Sequence, residues 1–254
     1  TQIDIAIGGR AFSPHELGIY TTSLFLIQLF VNKFVPPVNE VAFSAYARVQ
    51  EDGAAVRHGF LKSIRIIMLA GMPFFLGLGA SSEAAVAVVL GGKWAETAPV
   101  ITLLGFAMPF MTLQVILGPT VNALGRPGIY LRLCLIGAAL LPAAFLVGVN
   151  WGLTGMALAW VVGYPVLVAI STIWALPVVG VSPRDFLRAI APPMLAALGM
   201  FLIVRIVDGA LPQMQPLARL AILVATGGAV YGLWLLGFAR ERLAELVDLV
   251  RRKG

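Results

Sequence analysis

The stretch QLFVNKFVPPVNEVAF, residues 28–43, lies inside a long apolar run yet carries several polar groups. The run covers residues 17–46, which is longer than the roughly 20 residues that cross a membrane. The Pro-Pro pair lacks N–H groups, so the carbonyls of Asn32 and Lys33 lose their helical partners. Such groups are tolerated at membrane depth only against protein or a water-filled cavity. The stretch therefore predicts a membrane helix with one face in a polar environment.

The composition assigns the whole chain to the membrane class. Hydrophobic residues make up 59% of its 254 residues and charged residues 12%, and the mean hydropathy is +0.93. Soluble domains average about 25% charged residues. Long apolar runs without period-2 alternation indicate helices rather than a barrel. We therefore expect an all-α, polytopic integral membrane helix bundle.

Run length predicts a transmembrane lobe over residues 1–239 and a tail over residues 240–254. The lobe starts with a short apolar piece, 1–9, which we interpret as the end of a truncated helix, and residues 84–90 form an interfacial or re-entrant piece. Seven full spans follow the first piece, at about 17–46, 60–80, 98–122, 129–149, 153–176, 187–207 and 217–239.

The positions of Lys and Arg predict which side of the membrane each connection faces. Of the 18 Lys and Arg residues, 13 lie in one alternate set of connections, including the C-terminal tail. Cytoplasmic connections carry such an excess, so we expect the C-terminus in the cytoplasm. The net charge of +6 is distributed between apolar runs, which indicates membrane topology rather than nucleic-acid binding. The tail has apolar residues on one helical face and predicts an amphipathic helix at the membrane surface or in solvent.

Lys33 lies about 24 Å along the helix from Leu17, too deep to reach the interface easily. A charge at the centre of a span costs roughly 2.5–3.5 kcal/mol on insertion scales. Two arrangements could offset this cost, a buried ion pair or a hydrated cavity that holds an anion. The cavity is favoured by a polar stripe at roughly heptad spacing, comprising Thr21, Gln28, Asn32, Lys33, Asn39, Glu40 and Ser44.

Three further charged residues are candidates with open alternatives. Glu40 shares a helical face with Lys33, but is about 10 Å away along the axis, and either lines the cavity or supports the helix packing. Asp4 has either a structural or a cavity role. Arg10 falls in a predicted outer loop, where an interfacial anchor competes with a role at the cavity.

The sequence carries no enzyme signature. Its two histidines, His15 and His58, fall in loops on opposite sides, and there is one cysteine, Cys134. This distribution gives no metal set and no Cys/His nucleophile arrangement, and no phosphate-binding P-loop occurs. We therefore expect no enzymatic activity, no metal and no cofactor.

Several motifs resemble polysaccharide exporters of the O-antigen and colanic-acid lipopolysaccharide flippase type, within the multidrug/oligosaccharidyl-lipid/polysaccharide exporter superfamily. Each motif is weak alone, but their order and spacing are specific. One departure is the missing proline after Phe43. The motifs are IDIAIGGRAFSPHELGIY (3–20), VAFSAYARVQED (41–52), LGGKWAETAPV (90–100), NALGRPGIYLR (122–132) and WGLTGMALA (151–159).

The resemblance implies a fourteen-helix transporter of two lobes around a central cavity, of which this chain would be the C-terminal lobe. It implies transport of undecaprenyl-pyrophosphate-linked oligosaccharide across the bacterial inner membrane. The 17–46 span would be helix eight, facing the cavity. On this basis Lys33 is expected to hold the pyrophosphate, Gln28, Asn32 and Asn39 to bind sugar or phosphate, and Glu40 to act in coupling.

The partners expected from this interpretation are lipid-linked oligosaccharide, membrane lipids, the N-terminal lobe of the same chain and other polysaccharide-assembly proteins. Nucleic acid is not an expected partner.

The alternative function within the superfamily is an ion-coupled multidrug exporter, which would rely on Asp4 and Glu40. A membrane enzyme of the same pathway would need catalytic groups clustered at one interface. A non-transporting scaffold would pair Lys33 with a carboxylate in a dry interior.

Overall fold

The computed structural model describes residues 2–48 and 52–238, and within these residues all regular structure is helical. The expected helix bundle is thereby confirmed. The predicted tail helix, 240–254, lies outside the described residues. The helices are α1 Ile3–Ala11, α2 Pro14–Arg48, α3 Gly53–Ala80, α4 Ser82–Val89, α5 Thr97–Ala123, α6 Pro127–Gly148, α7 Gly152–Val179, α8 Pro183–Ala210 and α9 Pro216–Phe238.

Six described stretches are long and apolar enough to cross a membrane, and one of them, Pro127–Val179, contains both α6 and α7. The chain is thus a multi-pass membrane protein. The short helix α4 falls on the piece expected at the interface, between α3 and a 3₁₀ turn at Gly92–Trp94.

The helices start and end where local chemistry supports the backbone. Asp52 Oδ1 accepts hydrogen bonds from the N–H groups of Ala54 and Ala55, both at 3.0 Å, and so caps α3. Ser182 caps α8 by accepting from Asp185 N–H at 3.1 Å. These side chains satisfy N–H groups that the first helical turn leaves unpaired. They explain why α3 and α8 begin before the apolar runs do.

The bundle is organised around α5. Helix α5 packs against α2, α3 and α7. Helix α6 packs mainly against α7, α8 against α3, and α9 against α8, while α4 lies against α9 and α5. The core is apolar, with Phe60, Phe75, Phe145 and Trp160 among its largest fully buried side chains.

Glycines allow the closest helix contacts. A Cβ at Gly105 of α5 would lie 2.8 Å from the main-chain oxygen of Phe75 in α3. Gly148 and Gly155 provide a similar contact between α6 and α7. In lipid, where apolar surface gives no driving force for association, such close van der Waals packing holds helices together.

Candidate functional site

A stripe of exposed side chains runs along α2, on the side that is not packed against α3 or α5. At 3.6 residues per turn its members span about 100° of the helix circumference. The opposite side carries the buried residues, including Tyr20, Ile27 and Phe30. The exposed stripe, as we call it below, consists of Phe25, Leu29, Asn32, Lys33, Pro36 and Glu40.

Hydrogen bonds at two levels show how deep Lys33 lies. Ser23 Oγ is 3.4 Å from the carbonyl oxygen of Thr97, at the start of α5. Farther along, Asn39 Nδ2 donates to the carbonyl of Val115 at 3.1 Å. Lys33 lies between these two levels and is therefore beside about the eleventh residue after Thr97, close to the middle of α5. Because α5 can cross the membrane, Lys33 is near its mid-depth.

Lys33 is exposed on this stripe. Among the residues whose side chains the structure describes (2–37, 39–40 and 52–237), its ammonium group makes no ion pair or hydrogen bond. Glu40, two turns farther along the same face, is also exposed and is not paired with Lys33. Among the described residues, therefore, no carboxylate neutralises the lysine.

The amide side chains differ in their surroundings. Asn32 is exposed beside Lys33, whereas Gln28 and Asn39 are half-buried at the edge of the stripe. The hydrogen bond of Asn39 to Val115 has a local cause, because Val115 lies four residues before Pro119, which has no N–H to donate. Asn39 thus joins α2 to α5 in addition to any contact with a ligand.

Asp4 and Arg10 lie away from Lys33. Asp4 is 1% exposed, and its Oδ2 accepts a hydrogen bond at 3.1 Å from Tyr20, thirteen residues before Lys33 in α2. Thirteen residues correspond to about 20 Å along the helix. Arg10, expected in a loop, is exposed in the last turn of α1. The predicted residues therefore do not form one site: a stripe lies at Lys33, Asp4 belongs to a separate buried group, and Arg10 is exposed on α1.

The buried group includes two aromatic residues that the sequence analysis did not identify. Trp160 of α7 donates its indole N–H to the Tyr20 hydroxyl at 2.7 Å, and Tyr20 donates to Asp4. The chain of hydrogen bonds connects α7, α2 and α1. One available signal was that Trp160 lies inside an apolar span rather than at its end, since a buried indole N–H requires a partner.

A cavity of about 440 Å³ opens between α1, α5, α6 and α7. Its lining is mostly apolar and includes Met111, Leu141 and Leu167. Gln114 also lines it, and the Oε1 atom of this residue is buried without a hydrogen-bond partner. Gln114 is a further polar residue at membrane depth that the sequence analysis missed, because it stands alone in an apolar run.

Comparisons with known proteins support the resemblance seen in the motifs. Residues 1–99 match a family described as "Polysaccharide biosynthesis protein". Teichuronic acid biosynthesis protein TuaB of Bacillus subtilis (strain 168) is 29% identical over 241 residues, which cover 91% of this chain and 48% of TuaB. Lipopolysaccharide biosynthesis protein WzxC of Escherichia coli (strain K12) is 26% identical over 203 residues, which cover 78% of this chain and 41% of WzxC.

The fold is shared with a solved transporter structure. Lipid II flippase MurJ, in an inward closed conformation, matches with a TM-score of 0.74 at 15% identity, over 95% of this chain and 50% of that chain. The chain spans about half the length of the curated relatives it matches. Taken together, the chain is similar over residues 1–99 to a polysaccharide biosynthesis family and along most of its length to TuaB, and it shares its fold with MurJ.

Proposed function

We propose that the protein moves a lipid-linked oligosaccharide of the undecaprenyl-pyrophosphate type across the bacterial inner membrane. In this proposal the exposed stripe of α2 faces a central hydrated cavity shared with an N-terminal lobe. The observation that carries the proposal is the position of Lys33, which is exposed near mid-depth without a carboxylate partner among the described residues. The C-terminus lies in the cytoplasm, as the distribution of Lys and Arg predicts.

A cation at this depth fits a pyrophosphate because the membrane interior offers the crossing anion no other counter-charge. If the stripe faced lipid, Lys33 would cost roughly 2.5–3.5 kcal/mol on insertion scales. A hydrated cavity removes most of this cost and leaves the three ammonium donors free for phosphate oxygens. Asn32 is one residue away, and Gln28 lies at the edge of the same face, where both can donate to sugar or phosphate.

The protein acts as a transporter rather than an enzyme in this proposal. Glu40, also on the stripe, is a candidate for coupling to an ion gradient. Multidrug export is not favoured, because the relatives TuaB and WzxC carry the names of polysaccharide biosynthesis proteins.

The test is transport by the full-length protein in proteoliposomes. The substrate is a polyprenyl-pyrophosphate oligosaccharide with a fluorescent sugar, and a membrane-impermeant reagent reports the leaflet in which the sugar lies. We expect Lys33→Ala to lower the transport rate by about tenfold or more, because it removes a charge-assisted contact. Lys33→Arg retains the charge and is expected to retain most of the rate.

Lys93→Ala is the matched control, since Lys93 is exposed in the Gly92–Trp94 turn, which precedes α5. The start of α5 is level with Ser23, about 15 Å along α2 from Lys33. Each variant is first compared with the wild type for its amount in the membrane. If Lys33→Ala transported the substrate at the wild-type rate, the role assigned to Lys33 would be refuted.

A further inference from the structure

Two arginines at one end of the bundle, Arg126 and Arg132, have no acidic residue near them in sequence. The segment 97–184, in which both lie, contains no Asp or Glu. Arg126 lies in the connection between α5 and α6, and Arg132 lies in the second turn of α6. Neither makes an ion pair with a described residue. Among the described residues, therefore, no carboxylate neutralises either arginine.

A cleft lies beside these arginines, between the start of α6 and the end of α7. Its volume is about 420 Å³, and Arg126 is the charged residue in its lining. The other lining residues are Leu124, Ile129, Pro177 and Val178. This volume can hold a polar group much larger than a water molecule, whose share of liquid volume is about 30 Å³.

Arg132 lies next to the cleft and is held by an aromatic ring. Its guanidinium carbon is 5.4 Å from the centroid of the Trp174 ring. Arg132 is three residues after Ile129 in α6, and Trp174 is four residues before Val178 in α7. Residues at these spacings share a helix face, so the Arg132–Trp174 pair extends the cleft by one turn toward the membrane interior.

The guanidinium of Arg132 is well placed to bind a phosphate. The cation–π contact with the indole restrains the guanidinium group, and its N–H donors are not used in an ion pair with a described residue. Those donors match phosphate oxygens in a bidentate arrangement. Arg126 and Arg132 together can therefore hold a phosphate without a protein carboxylate competing for them.

The surface around the cleft suits a lipid better than a soluble phosphate. Leu131 and Leu135 of α6 are 59% and 61% exposed, and Ile173 of α7 is 71% exposed. These residues present apolar surface on the same two helices, toward the membrane interior. A molecule with a phosphate in the cleft would have hydrocarbon next to these side chains.

We propose that the α6–α7 cleft, with Arg126 in its lining and Arg132 over the Trp174 ring, binds the phosphate of an anionic phospholipid headgroup. The acyl chains of this lipid lie along the exposed apolar residues of α6 and α7. The site is separate from the exposed stripe of α2 and does not depend on what the protein transports.

The test is native mass spectrometry of the full-length protein purified in detergent, titrated with phosphatidylglycerol and, separately, with phosphatidylcholine of the same chain length. We expect the wild type to bind phosphatidylglycerol at least about fivefold more tightly than phosphatidylcholine. The double variant Arg126→Gln/Arg132→Gln should lose this preference, because it removes both guanidinium groups. The double variant Arg126→Lys/Arg132→Lys retains both charges and should keep part of it.

Lys93→Gln is the control for general charge, because Lys93 is exposed in the Gly92–Trp94 turn and is not part of the cleft. The thermal stability of each variant is measured in parallel. Equal binding of the two lipids, or an unchanged preference in the Gln double variant, overturns the proposal. Polyprenyl pyrophosphate is tested as a third lipid. The proposal is also overturned if the Gln double variant binds this lipid less tightly than the wild type but binds phosphatidylglycerol as tightly as the wild type.

Discussion

The side-chain amide of Asn39 donates a hydrogen bond to the carbonyl of Val115 at 3.1 Å, four residues before Pro119 in the same helix as Val115. Proline cannot donate to that carbonyl, so α2 supplies the donor that α5 lacks. The same pairing occurs in α3, where the Tyr231 hydroxyl donates to the carbonyl of Leu69 at 2.9 Å, four residues before Pro73. In both places a proline frees a carbonyl that then joins two helices.

Asn39→Ala is expected to lower the free energy of unfolding by about 1 kcal/mol, close to the values found for hydrogen bonds between membrane helices. In a Pro119→Ala background the cost should be much smaller, because residue 119 then donates to Val115 itself. Unfolding of the four proteins in lipid–detergent micelles gives the coupling energy of this double-mutant cycle. Asn32→Ala, on an exposed residue, is the control and should leave stability unchanged. An equal cost of Asn39→Ala in both backgrounds would contradict the explanation.

Tyr231→Phe removes the donor to Leu69 and keeps the ring. We expect a loss of about 0.5–1.5 kcal/mol in the free energy of unfolding, typical of one hydrogen bond. The loss should disappear in a Pro73→Ala background, for the reason given for Asn39. A stability unchanged by Tyr231→Phe alone would show that this carbonyl is satisfied in another way.

Tyr20→Phe should be more damaging, because the Tyr20 hydroxyl is used twice. It accepts from Trp160 and donates to the buried Asp4 carboxylate, so its removal leaves a buried indole N–H and a buried carboxylate oxygen without their partner. Orphaned buried groups cost about 1–3 kcal/mol each, and more when charged. We expect a loss of about 2–4 kcal/mol, measured by the same unfolding assay.

Tyr130→Phe is the control for Tyr20→Phe, since Tyr130 is 37% exposed. Its stability should change by less than about 0.5 kcal/mol, as is usual for a surface substitution. If the two Phe variants were equally stable, the Asp4–Tyr20–Trp160 chain would not contribute to stability.

Gly105→Ala tests the close contact between α5 and α3. The added Cβ would lie 2.8 Å from the main-chain oxygen of Phe75, and backbone cannot move aside as a flexible side chain can. Overpacking of this kind costs about 1–3 kcal/mol. Gly199→Ala in α8 is the matched control, because nothing lies within 4 Å of its added Cβ. That variant should be equally or slightly more stable, since Ala favours a helix by up to about 1 kcal/mol. Similar losses in both would argue against tight α3–α5 packing.

The two ends of α8 provide ion pairs that differ in burial. At one end Arg219 Nε donates to Asp208 Oδ1 at 2.6 Å, and the Asp208 side chain is 7% exposed. At the other end Arg57 is 2.6 Å from Asp185, whose side chain is 28% exposed. Asp208→Asn is expected to cost about 1.5–3 kcal/mol, because it removes the charge from a hydrogen-bonded pair in which the carboxylate is nearly buried and Arg219 is 30% exposed.

Asp185→Asn is the comparison, and its expected cost is about 1 kcal/mol or less, because solvent screens the more exposed pair. The free energy of unfolding of both variants is measured at low and at high salt. The cost of Asp185→Asn should fall markedly at high salt, because salt screens an exposed ion pair more than a nearly buried one. A larger loss of stability for Asp185→Asn than for Asp208→Asn would contradict the expectation that the more buried pair contributes more.

The sequence was a good guide to the helices for a simple reason. In a membrane every backbone group must be paired within the segment, so a long apolar run has to become a helix. The runs around Lys33 and around Gly105 were therefore recognisable without coordinates. The position of Lys33 deep in a span followed from counting residues, and so did the question of how its charge is accommodated.

The partners of the polar residues did not follow in the same way. Nothing in the spacing of residues indicates that Asp4 is reached by Tyr20, or that Tyr20 is reached by Trp160, 140 residues later in the chain. Asn39 was expected to bind a ligand, and its bond to Val115 became visible only with α2 and α5 packed together.

The amino-acid sequence by itself determined the membrane class, the run of helices and the depth of the charge at Lys33, because these depend on local composition and on the fixed rise of a helix. Tertiary structure alone decided which polar groups meet and which face of α2 is left exposed. Those outcomes depend on how helices distant in sequence rotate and pack against one another, and no local pattern contains that information.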